Sequence, residues 1–577
     1  MKYYHKILFA KRHKAVKTAL CLLVVLLGFG MQAQKSAKVG YKNPQKPVAA
    51  LEGSKAKHVK RITPQIPQAN RNQRNKVFLE NADVLSANEA VSTDYQVLKG
   101  NVKFRRGNMY MYCDSAYFYS KTSSLDAFGN VKLIQGDSLK VFADVLHYYG
   151  DDEIAQLRYN VKMQNRSMTL YTDSLDYETR TNVGYYFNGG RLIDGSHNTL
   201  TSEFGRYELD TKKAEFSTNV HLVNKKYDMR TDMLDYNTAT HVADIVAETV
   251  IRSDSSTIRT NKGWYNTAAD NSTLYNRSTL YAKDGKTLVG DTLYYSRRRG
   301  YGEAKGNVIL TDDKHKVILD GNYGYHNENT HYSYATRHAR AREFSQKDTL
   351  YLHGDTLRTF LDSCQRRVLT ASPKVRFFRN DVQGLCDSMA FSQADTIVRL
   401  YKHAVVWNEN KQISGEEINV HMNDSTVDWA LMPNSGIVAE HLGETYYNQL
   451  SGRVLKAYFL EKELRKVDVN GNVLTIFYPM EKDSTYNKLV SAESSYLTIN
   501  LKPKQEIDKV KMWPEVNGKL IPLFLAKRSD LYLPGFEWYE SLRPKKPDDI
   551  YDVSDEMKQL LSKPSTGGRH KRSSSNI

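Results

Sequence analysis

Apolar and polar residues alternate in short runs along most of the chain. Examples are Val102-Lys103-Phe104, Val131-Lys132-Leu133 and Val161-Lys162-Met163. A period of two is typical of a β-strand that buries one face and exposes the other. Groups such as Gly-Asn and Asn-Gly-Gly separate the runs and predict tight turns. The pattern therefore predicts an all-β protein of short strands, with a short helix only at Asp555–Leu561.

A repeat of about 30 residues organises these strands. Its first element ends in Asn-Val and occurs at Asn101, Asn130, Asn160, Asn219, Asn307 and Asn472. Its second element is an acid followed by an aromatic residue, as in Asp114 with Tyr117, Asp144 with Tyr148 and Asp173 with Tyr177. From Asp114, the steps to Asp144, Asp173, Glu203 and Asp232 are 30, 29, 30 and 29 residues. This register predicts about thirteen stacked units, each burying its apolar face against its neighbours.

The acid of each repeat invites a catalytic or calcium-binding interpretation. A catalytic pair would be local and unique, whereas this acid returns in unit after unit, which favours a carboxylate that bonds backbone amides at a turn. The sequence also lacks GxSxG, HExxH, CxxC and GxxxxGK[ST] motifs. We therefore predict no enzymatic activity, no cofactor and no metal site.

Three cysteines follow the N-terminal segment, namely Cys113, Cys364 and Cys386. Their odd number and wide spacing predict neither a disulfide framework nor a zinc site. Cys113 and Cys386 each precede an aspartate at the same repeat position, so we expect small side chains packed within strands.

The N-terminal residues carry most of the positive charge. The formal net charge is +17, of which residues 1–33 contribute +6 and residues 34–76 contribute +10. Residues 77–577 are thus nearly neutral, which argues against nucleic acid as a partner. The basic stretch up to Lys17, the apolar run Ala19–Phe29 and the following Met31-Gln32-Ala33 predict a secretory signal peptide over residues 1–33, with an uncleaved anchor as the alternative. Composition predicts a flexible basic leader at 34–76 and, at 509–577, a proline-punctuated segment ending in a disordered basic tail.

The Gly-Asn-Val and Asp-x-x-x-Tyr elements, at this spacing and behind a signal peptide, resemble the LptA/OstA-like family. The resemblance covers about residues 77–500, and Gly452–Phe459 with Gly471-Asn472-Val473 looks like the distal part of long OstA-like proteins of Bacteroidetes-type organisms. It implies an elongated, twisted, solenoid-like β-jellyroll (a β-taco), with an N-terminal half at 77–300 and a C-terminal half at 301–508.

The same resemblance implies a function, because that family transports lipopolysaccharide across the periplasm of Gram-negative bacteria. It implies a non-enzymatic periplasmic carrier that shields the acyl chains of lipid A between two sheets. The implied partners are lipopolysaccharide, an inner-membrane export complex and outer-membrane translocon subunits. The carrier would be periplasmic, with an association with the inner or outer membrane left open.

The candidate groove residues are the apolar positions of the Asn-Val strands, and each is equally a candidate for ordinary core. They are Val102, Phe104, Val131, Leu133, Val161, Met163, Val220, Leu222, Val308 and Leu310. Arginines suit phosphate groups, which makes two basic clusters weaker candidates for phosphate contacts, with a plain solvated face as the alternative. These are Arg297, Arg298, Arg299, Arg340 and Arg342.

Two other functions compete with the carrier. One is a structural β-solenoid, such as a scaffold or surface protein, with a filled core and no lipid ligand. The other is a β-helical polysaccharide-degrading enzyme, which would need acids clustered on one face. Open terminal strands also predict end-to-end self-association of the array.

Overall fold

The computed structural model describes residues 76–86 and 95–564, apart from 167, 196–197, 284, 346, 424–425, 462, 482–484 and 504–506. The predicted signal peptide, nearly all of the basic leader and the end of the tail lie outside these residues. The chain divides after Asp270 into two compact units. The division of the repeats into halves that meet at 300/301 stays a prediction. Both units are built of antiparallel strands, so the all-β prediction is confirmed.

The first unit, up to Asp270, holds eighteen strands among its described residues. They are β1 (Phe78–Asn81), β2 (Val84–Ser86), β3 (Gln96–Arg106), β4 (Met109–Tyr119), β5 (Ser124–Gln135), β6 (Leu139–Tyr149), β7 (Ile154–Asn165), β8 (Met168–Glu178), β9 (Val183–Tyr186), β10 (Gly190–Ile193), β11 (Thr199–Ser202), β12 (Phe204–Glu208), β13 (Lys213–Val223), β14 (Tyr227–Asn237), β15 (Val242–Ile245), β16 (Thr249–Ser253), β17 (Ser256–Thr260) and β18 (Gly263–Asn266).

The second unit, from Asn271, continues the same pattern with longer strands towards its end. Its strands are β19 (Asn271–Leu274), β20 (Ser278–Ala282), β21 (Lys286–Gly290), β22 (Thr292–Ser296), β23 (Tyr301–Asp312), β24 (Val317–Asn327), β25 (Tyr332–Thr336), β26 (Arg340–Glu343), β27 (Leu350–His353), β28 (Thr356–Leu361), β29 (Arg367–Ser372), β30 (Val375–Arg379), β31 (Val382–Cys386), β32 (Ser388–Ser392), β33 (Ile397–Asn408), β34 (Lys411–Asn423), β35 (Thr426–Met432), β36 (Gly436–Gly443), β37 (Tyr446–Gly452), β38 (Val454–Leu460), β39 (Glu463–Phe477), β40 (Lys488–Leu501), β41 (Ile507–Trp513) and β42 (Asn517–Pro522). The described residues of this unit also form three 3-10 helices (Leu523–Leu525, Glu540–Leu542, Pro547–Tyr551) and two α-helices, α1 (Arg528–Leu531) and α2 (Asp555–Ser562).

A two-residue corner interrupts each Asn-Val strand. Gly129 and Asn130 both adopt left-handed backbone angles, with φ of +75° and +45°, and the pairing of β5 with β6 shifts register at this point. The Asn130 side-chain amide donates to Asp114 Oδ2 of the preceding strand at 2.8 Å. The same bond recurs at 2.7–2.9 Å in Asn101–Asp83, Asn160–Asp144 and Asn307–Asp291. The repeated acid therefore has a structural role, as expected, although its partner is chiefly an asparagine amide rather than the backbone amides predicted.

The corner divides each long strand into two arms. We call the arm that contains the apolar residues of the Asn-Val element the Asn-Val arm, and the arm that contains the aromatic residue following the repeated acid the tyrosine arm. Alternate residues of both arms point inward. On β5, Val131 and Leu133 of the Asn-Val arm are 1% and 0% exposed, and Leu125 and Ala127 of the tyrosine arm are 0% and 1% exposed. Burial of this kind on both arms produces an apolar interior that continues from each strand of the stack, or rung, to the next.

The predicted proline-punctuated segment is ordered in its described part. The strand array continues through β41 and β42, and the chain then forms a strap, residues 523–563, along the outer face of the second unit's Asn-Val arm. Gln412 Nε2 donates to Glu537 O and Gln412 Oε1 accepts from Tyr539 N, both at 2.8 Å. Gln449 makes the equivalent pair of bonds further along the strap. Each glutamine thus offers the strap the donor and acceptor that a neighbouring strand would offer.

Helix α2 closes the strap against an apolar patch on that outer face. Met557 and Leu560 of the helix, with Leu542, cover Trp407 and Val405. Ser554 caps the helix by accepting from the Met557 amide at 3.2 Å. The short helix expected at Asp555–Leu561 is confirmed.

Candidate functional site

The ten candidate groove residues all lie on the inward face of the Asn-Val arm. Val102, Phe104, Val131, Leu133, Val161, Met163, Val220 and Leu222 belong to the first unit, and Val308 and Leu310 to the second. Their side chains are 0–6% exposed. The intervening residues point outward and carry charge, as Lys132 does between Val131 and Leu133. The interior is closely packed at these positions, so a guest could reach them only if the two arms separated.

A row of tyrosines lines the edge of the first unit that lies opposite the corners. Tyr177 OH on β8 donates to Gln135 Oε1 on β5 at 2.7 Å, although two strands separate β8 from β5 in the sheet. This bond joins the tip of the tyrosine arm to the tip of the Asn-Val arm. The two arms therefore face each other and meet along this edge.

The same contact recurs in successive repeats. Each tyrosine meets a polar residue that lies 42 residues earlier in the chain. The pairs are Tyr148 with Arg106, Tyr177 with Gln135, Tyr207 with Asn165, and Tyr236 with Asp194. We call these eight residues the tyrosine seam. All four tyrosines are at most 5% exposed, so their rings extend the apolar interior while their hydroxyl groups reach its edge.

The chemistry of the seam varies along its length. At one end, the Arg106 guanidinium carbon lies 5.4 Å above the Tyr148 ring and Arg106 Nη2 lies 3.1 Å from Glu153 Oε1. At the other end, Tyr236 and Asn198 both donate to Asp194, whose side chain is 2% exposed. The seam is therefore a set of side-chain contacts in which each repeat supplies its own partner.

Burial sets the protonation of the seam. It raises the pKa of the Tyr177, Tyr207 and Tyr236 hydroxyls, which keeps them neutral and able to donate. Burial also lowers the pKa of the Arg106 guanidinium, an effect that the Glu153 carboxylate opposes. An arginine lowered from so high a starting value remains charged at neutral pH.

The first repeat corrects one detail of the sequence pattern. The sequence pattern pairs Asp114 with Tyr117, but Tyr117 lies on the outer face and is 39% exposed. Phe118, four residues after Asp114, occupies the inward position and packs against Phe104 with ring centroids 5.3 Å apart. The inward aromatic thus follows the acid by four residues, as Tyr148 follows Asp144.

The arginine candidates lie on the second unit and in two different settings. Arg297, Arg298 and Arg299 form the turn after β22, where Arg298 and Arg299 are exposed. Arg340 and Arg342 both pair with Asp320, at 3.0 and 2.9 Å, on the outer face. The strap also covers Arg340, with the Tyr551 ring centroid 5.7 Å from its guanidinium carbon. Arg340 and Arg342 therefore already have structural partners.

The remaining candidate features are the cysteines, groups that could bind metal and helices that could cross a membrane. Cys113 and Cys386 are buried, and Cys364 is exposed. Within the ranges that the structure covers, no group of three or more His, Cys, Asp or Glu is arranged to hold a metal ion. Over those same ranges no helix has the length and apolar character that a membrane crossing needs.

Sequence reasoning missed two features, the seam and the strap. A signal for the seam was present, because the partners Arg106, Gln135, Asn165 and Asp194 follow one another at 29, 30 and 29 residues, the same steps as the tyrosines. Those partners differ in residue type, which hid the register. The strap has no internal period and gave no comparable signal.

The comparisons with known proteins give a family match within the first unit. A family model described as "OstA-like protein" matches residues 74–232, which include β1 to β13 and all the seam residues except Tyr236. A comparison with curated proteins finds no match. Among solved structures, the chain is similar to LptH of Pseudomonas aeruginosa, described as the LptA homologous periplasmic component of a conserved lipopolysaccharide transport device. That likeness has 13% identity and a TM-score of 0.12, and covers 25% of this chain and 82% of LptH. Residues 74–232 of the chain thus form an OstA-like domain.

Proposed function

We propose that the protein is a non-enzymatic periplasmic carrier of lipopolysaccharide that shields lipid A acyl chains between its two arms on the way to the outer membrane. The observation that carries this proposal is the apolar interior of the first unit, which continues from rung to rung within the OstA-like domain. Inward residues such as Leu133 and Leu157, on opposite arms, are both 0% exposed. Such an interior offers hydrocarbon the same environment at successive rungs.

The hydrophobic effect is strong enough to hold a lipid without any covalent step. Each CH₂ group moved from water into an apolar interior contributes about 0.8 kcal/mol, so several acyl chains are held firmly. Movement from one rung to the next exchanges like contacts for like, which keeps the barrier to sliding low. The repeated acids take part in corner hydrogen bonds such as Asn130 to Asp114. Directional transport would draw its energy from partner subunits.

The second candidate is a structural scaffold with a filled core. It is favoured by the close packing of the ten candidate residues, which leaves them 0–6% exposed. The two functions differ in what the arms do when lipid is offered. A carrier must part its arms to exchange side-chain contacts for acyl chains, whereas a scaffold keeps them closed.

Site-specific photo-crosslinking separates the two functions. The variant Leu133→p-benzoylphenylalanine places the probe inside the first unit, and Lys132→p-benzoylphenylalanine places it one residue away on the outer face. A carrier expressed in a Gram-negative periplasm should yield lipopolysaccharide adducts at position 133 and not at 132. Mass spectrometry of lipids extracted from the detergent-free protein should find lipid A species near stoichiometry. Absence of adducts at both positions, with no lipid extracted, would establish the scaffold.

The partners proposed are an inner-membrane export complex and outer-membrane translocon subunits, with end-to-end self-association as a further mode. Strands β41 and β42 pair with β40 and expose apolar side chains, among them Ile507 at 56% and Leu520 at 62%. An exposed strand edge beside apolar side chains suits the addition of another chain's strand. Cross-linking of Leu520→Cys to a second copy, or to a partner subunit, would identify which chain docks there.

A further inference from the structure

Side chains that alternate between cationic and aromatic form a row across the outer face of the first unit's Asn-Val arm. Each member is the register partner of the next, across the seven strands β3 to β8 and β10. The members are Lys103, Tyr112, Lys132, Phe142, Lys162, Tyr171 and Arg191. We propose that this cation–aromatic row binds a linear acidic polysaccharide that carries a carboxylate on alternate sugars. The inference does not depend on the proposed carrier function, because the row lies on the face turned away from the apolar interior.

Aromatic rings hold the cations of the row in place. Lys132 Nζ lies 5.9 Å from the centroid of the Phe142 ring. Further along, Lys162 Nζ and the Arg191 guanidinium carbon lie 5.7 and 5.0 Å from the centroid of the Tyr171 ring. A ring attracts a cation without neutralising it. The cations are therefore positioned before a ligand arrives and keep their charge for it.

Cations on the outer face of the tyrosine arm are instead paired with carboxylates. Arg158 Nη1, for example, lies 2.7 Å from Asp176 Oδ1. Within the ranges that the structure describes, no carboxylate forms an ion pair with Lys132, Lys162 or Arg191. Acidic residues opposite these cations would also have stabilised the pairing of the strands. The aromatic residues at those positions therefore leave a positive surface that an anionic ligand can use.

The cation–aromatic row presents its charge at a regular interval. Strands in a sheet lie about 4.8 Å apart, so cations on every second strand are about 10 Å apart. Lys103, at the β3 end, already pairs with Glu80 at 2.8 Å, which leaves Lys132, Lys162 and Arg191 to meet a ligand. Alternate sugars of an extended glycan recur at a similar interval. One carboxylate for each disaccharide would therefore meet one cation.

Phenol groups beside these charges favour a polysaccharide over other polyanions. Among the described residues, no protein group forms a hydrogen bond with the hydroxyl of Tyr112 or Tyr171. The hydroxyl groups of a polysaccharide can donate to these phenols and accept from them. An extended acidic peptide binds through a sheet edge, where backbone groups are free, whereas this row lies on a face. Nucleic acid carries a charge on every nucleotide, which is a closer spacing than the row offers.

Removing charge from the row tests the inference in the full-length protein. Lys132→Gln with Lys162→Gln removes two charges from the row. The matched control, Lys99→Gln with Lys225→Gln, removes two charges from exposed positions elsewhere in the first unit. The probe is a fluorescently labelled hyaluronate oligosaccharide, which carries a carboxylate on alternate sugars, and its binding is followed by anisotropy at low ionic strength. The row variant should bind it about tenfold more weakly than the control variant, and salt should weaken binding less steeply in the row variant than in the unaltered protein.

Comparison polymers identify the class of ligand. Neutral chitin oligosaccharides, polyglutamate and single-stranded DNA of similar length should each bind at least tenfold more weakly than hyaluronate. Equally tight binding of polyglutamate or DNA would show a general anion surface and overturn the polysaccharide. Equal loss of binding in the two double variants, or no binding of hyaluronate by the unaltered protein, would overturn the row as a site.

A chemical cross-link locates the bound chain. A water-soluble carbodiimide activates the hyaluronate carboxylate, and a lysine amine then displaces the activating group to form an amide. Lys132 and Lys162 are half-buried whereas Lys99 is exposed, so reaction without a bound complex would favour Lys99. Peptide mass spectrometry should find adducts at Lys132 and Lys162 in preference to Lys99. A preference for Lys99 would contradict the assignment.

Discussion

Gly129 offers the sharpest test of the corner. It has a φ of +75°, and a Cβ atom added there would lie 2.6 Å from Asp114 Oδ2 and 3.2 Å from Asp114 Cγ. Gly107 is a matched control in the same unit, with a φ of +58° and nothing within 4 Å of such a Cβ atom. Both positions penalise alanine for its backbone conformation, but only Gly129 also lies against a side chain.

The expected magnitudes follow from that difference. Left-handed backbone costs alanine about 1 kcal/mol at either site. At Gly129 the Asp114 side chain must also turn away and lose the bond from Asn130, which costs about another 1–2 kcal/mol for a solvent-exposed, charge-assisted hydrogen bond. We expect Gly129→Ala to destabilise β4 and β5 by about 2–3 kcal/mol and Gly107→Ala by about 1 kcal/mol.

Hydrogen exchange of peptides from β4 and β5 measures this effect locally, which suits a repeat array whose units open separately. Exchange in Gly129→Ala should be about fivefold to thirtyfold faster than in Gly107→Ala, since the two variants differ by about 1–2 kcal/mol and about 1.4 kcal/mol corresponds to a factor of ten. In an Asp114→Ala background, Gly129→Ala should cost only the backbone strain, because the obstructing carboxylate is gone. Equal exchange in the two glycine variants, or no coupling to Asp114, would refute the account of the corner.

Three further predictions concern the second unit and the thiols. Burial lowers the pKa of His326 to about 4 from 6.5, so as the pH falls the imidazole is protonated in the unfolded chain before it is protonated in the folded one. The contribution of neutral His326 to the free energy of unfolding is therefore fully present above pH 6.5 and falls by up to about 3 kcal/mol as the pH drops to 4. His326→Gln should flatten the dependence of the melting temperature on pH over that window. Gln412→Ala removes both of its bonds to the strap and should make the strap several-fold more sensitive to limited proteolysis, with Gln164→Ala unchanged as a control. Iodoacetamide should modify exposed Cys364 and spare buried Cys113 and Cys386 in the folded protein; rapid labelling of all three thiols would contradict the burial of the interior.

The sequence contained enough to predict the strands and their inward face. Period-two alternation placed Val131 and Leu133 on one side and Lys132 on the other, and the structure buries the first two. The thirty-residue register worked because each rung repeats the same local problem, a corner that needs a glycine or asparagine beside an acid. Local chemistry of this kind is visible in a short window of sequence.

The strap could not be predicted in the same way. Gln412 and Tyr539 are 127 residues apart in the chain, and no local pattern connects them. Trp407 and Val405 lie on an outer face, where alternation places polar residues elsewhere in the array, and α2 covers them. Such contacts depend on where the chain returns, and a single sequence does not reveal that return.

The seam tyrosines differ from ordinary core residues because each carries a hydroxyl group into the interior. A phenylalanine would fill the interior equally well, and Phe118 does so in the first repeat. The later repeats nevertheless use Tyr148, Tyr177 and Tyr207, whose hydroxyls are buried and therefore need a reason to be there. A polar side chain 42 residues earlier stands opposite each one. A core would be more stable with phenylalanine at these positions, so the recurrent hydroxyl groups indicate an edge where two arms meet. If that edge opens, water can form hydrogen bonds with the polar side chains that held it, so no polar group is left unpaired.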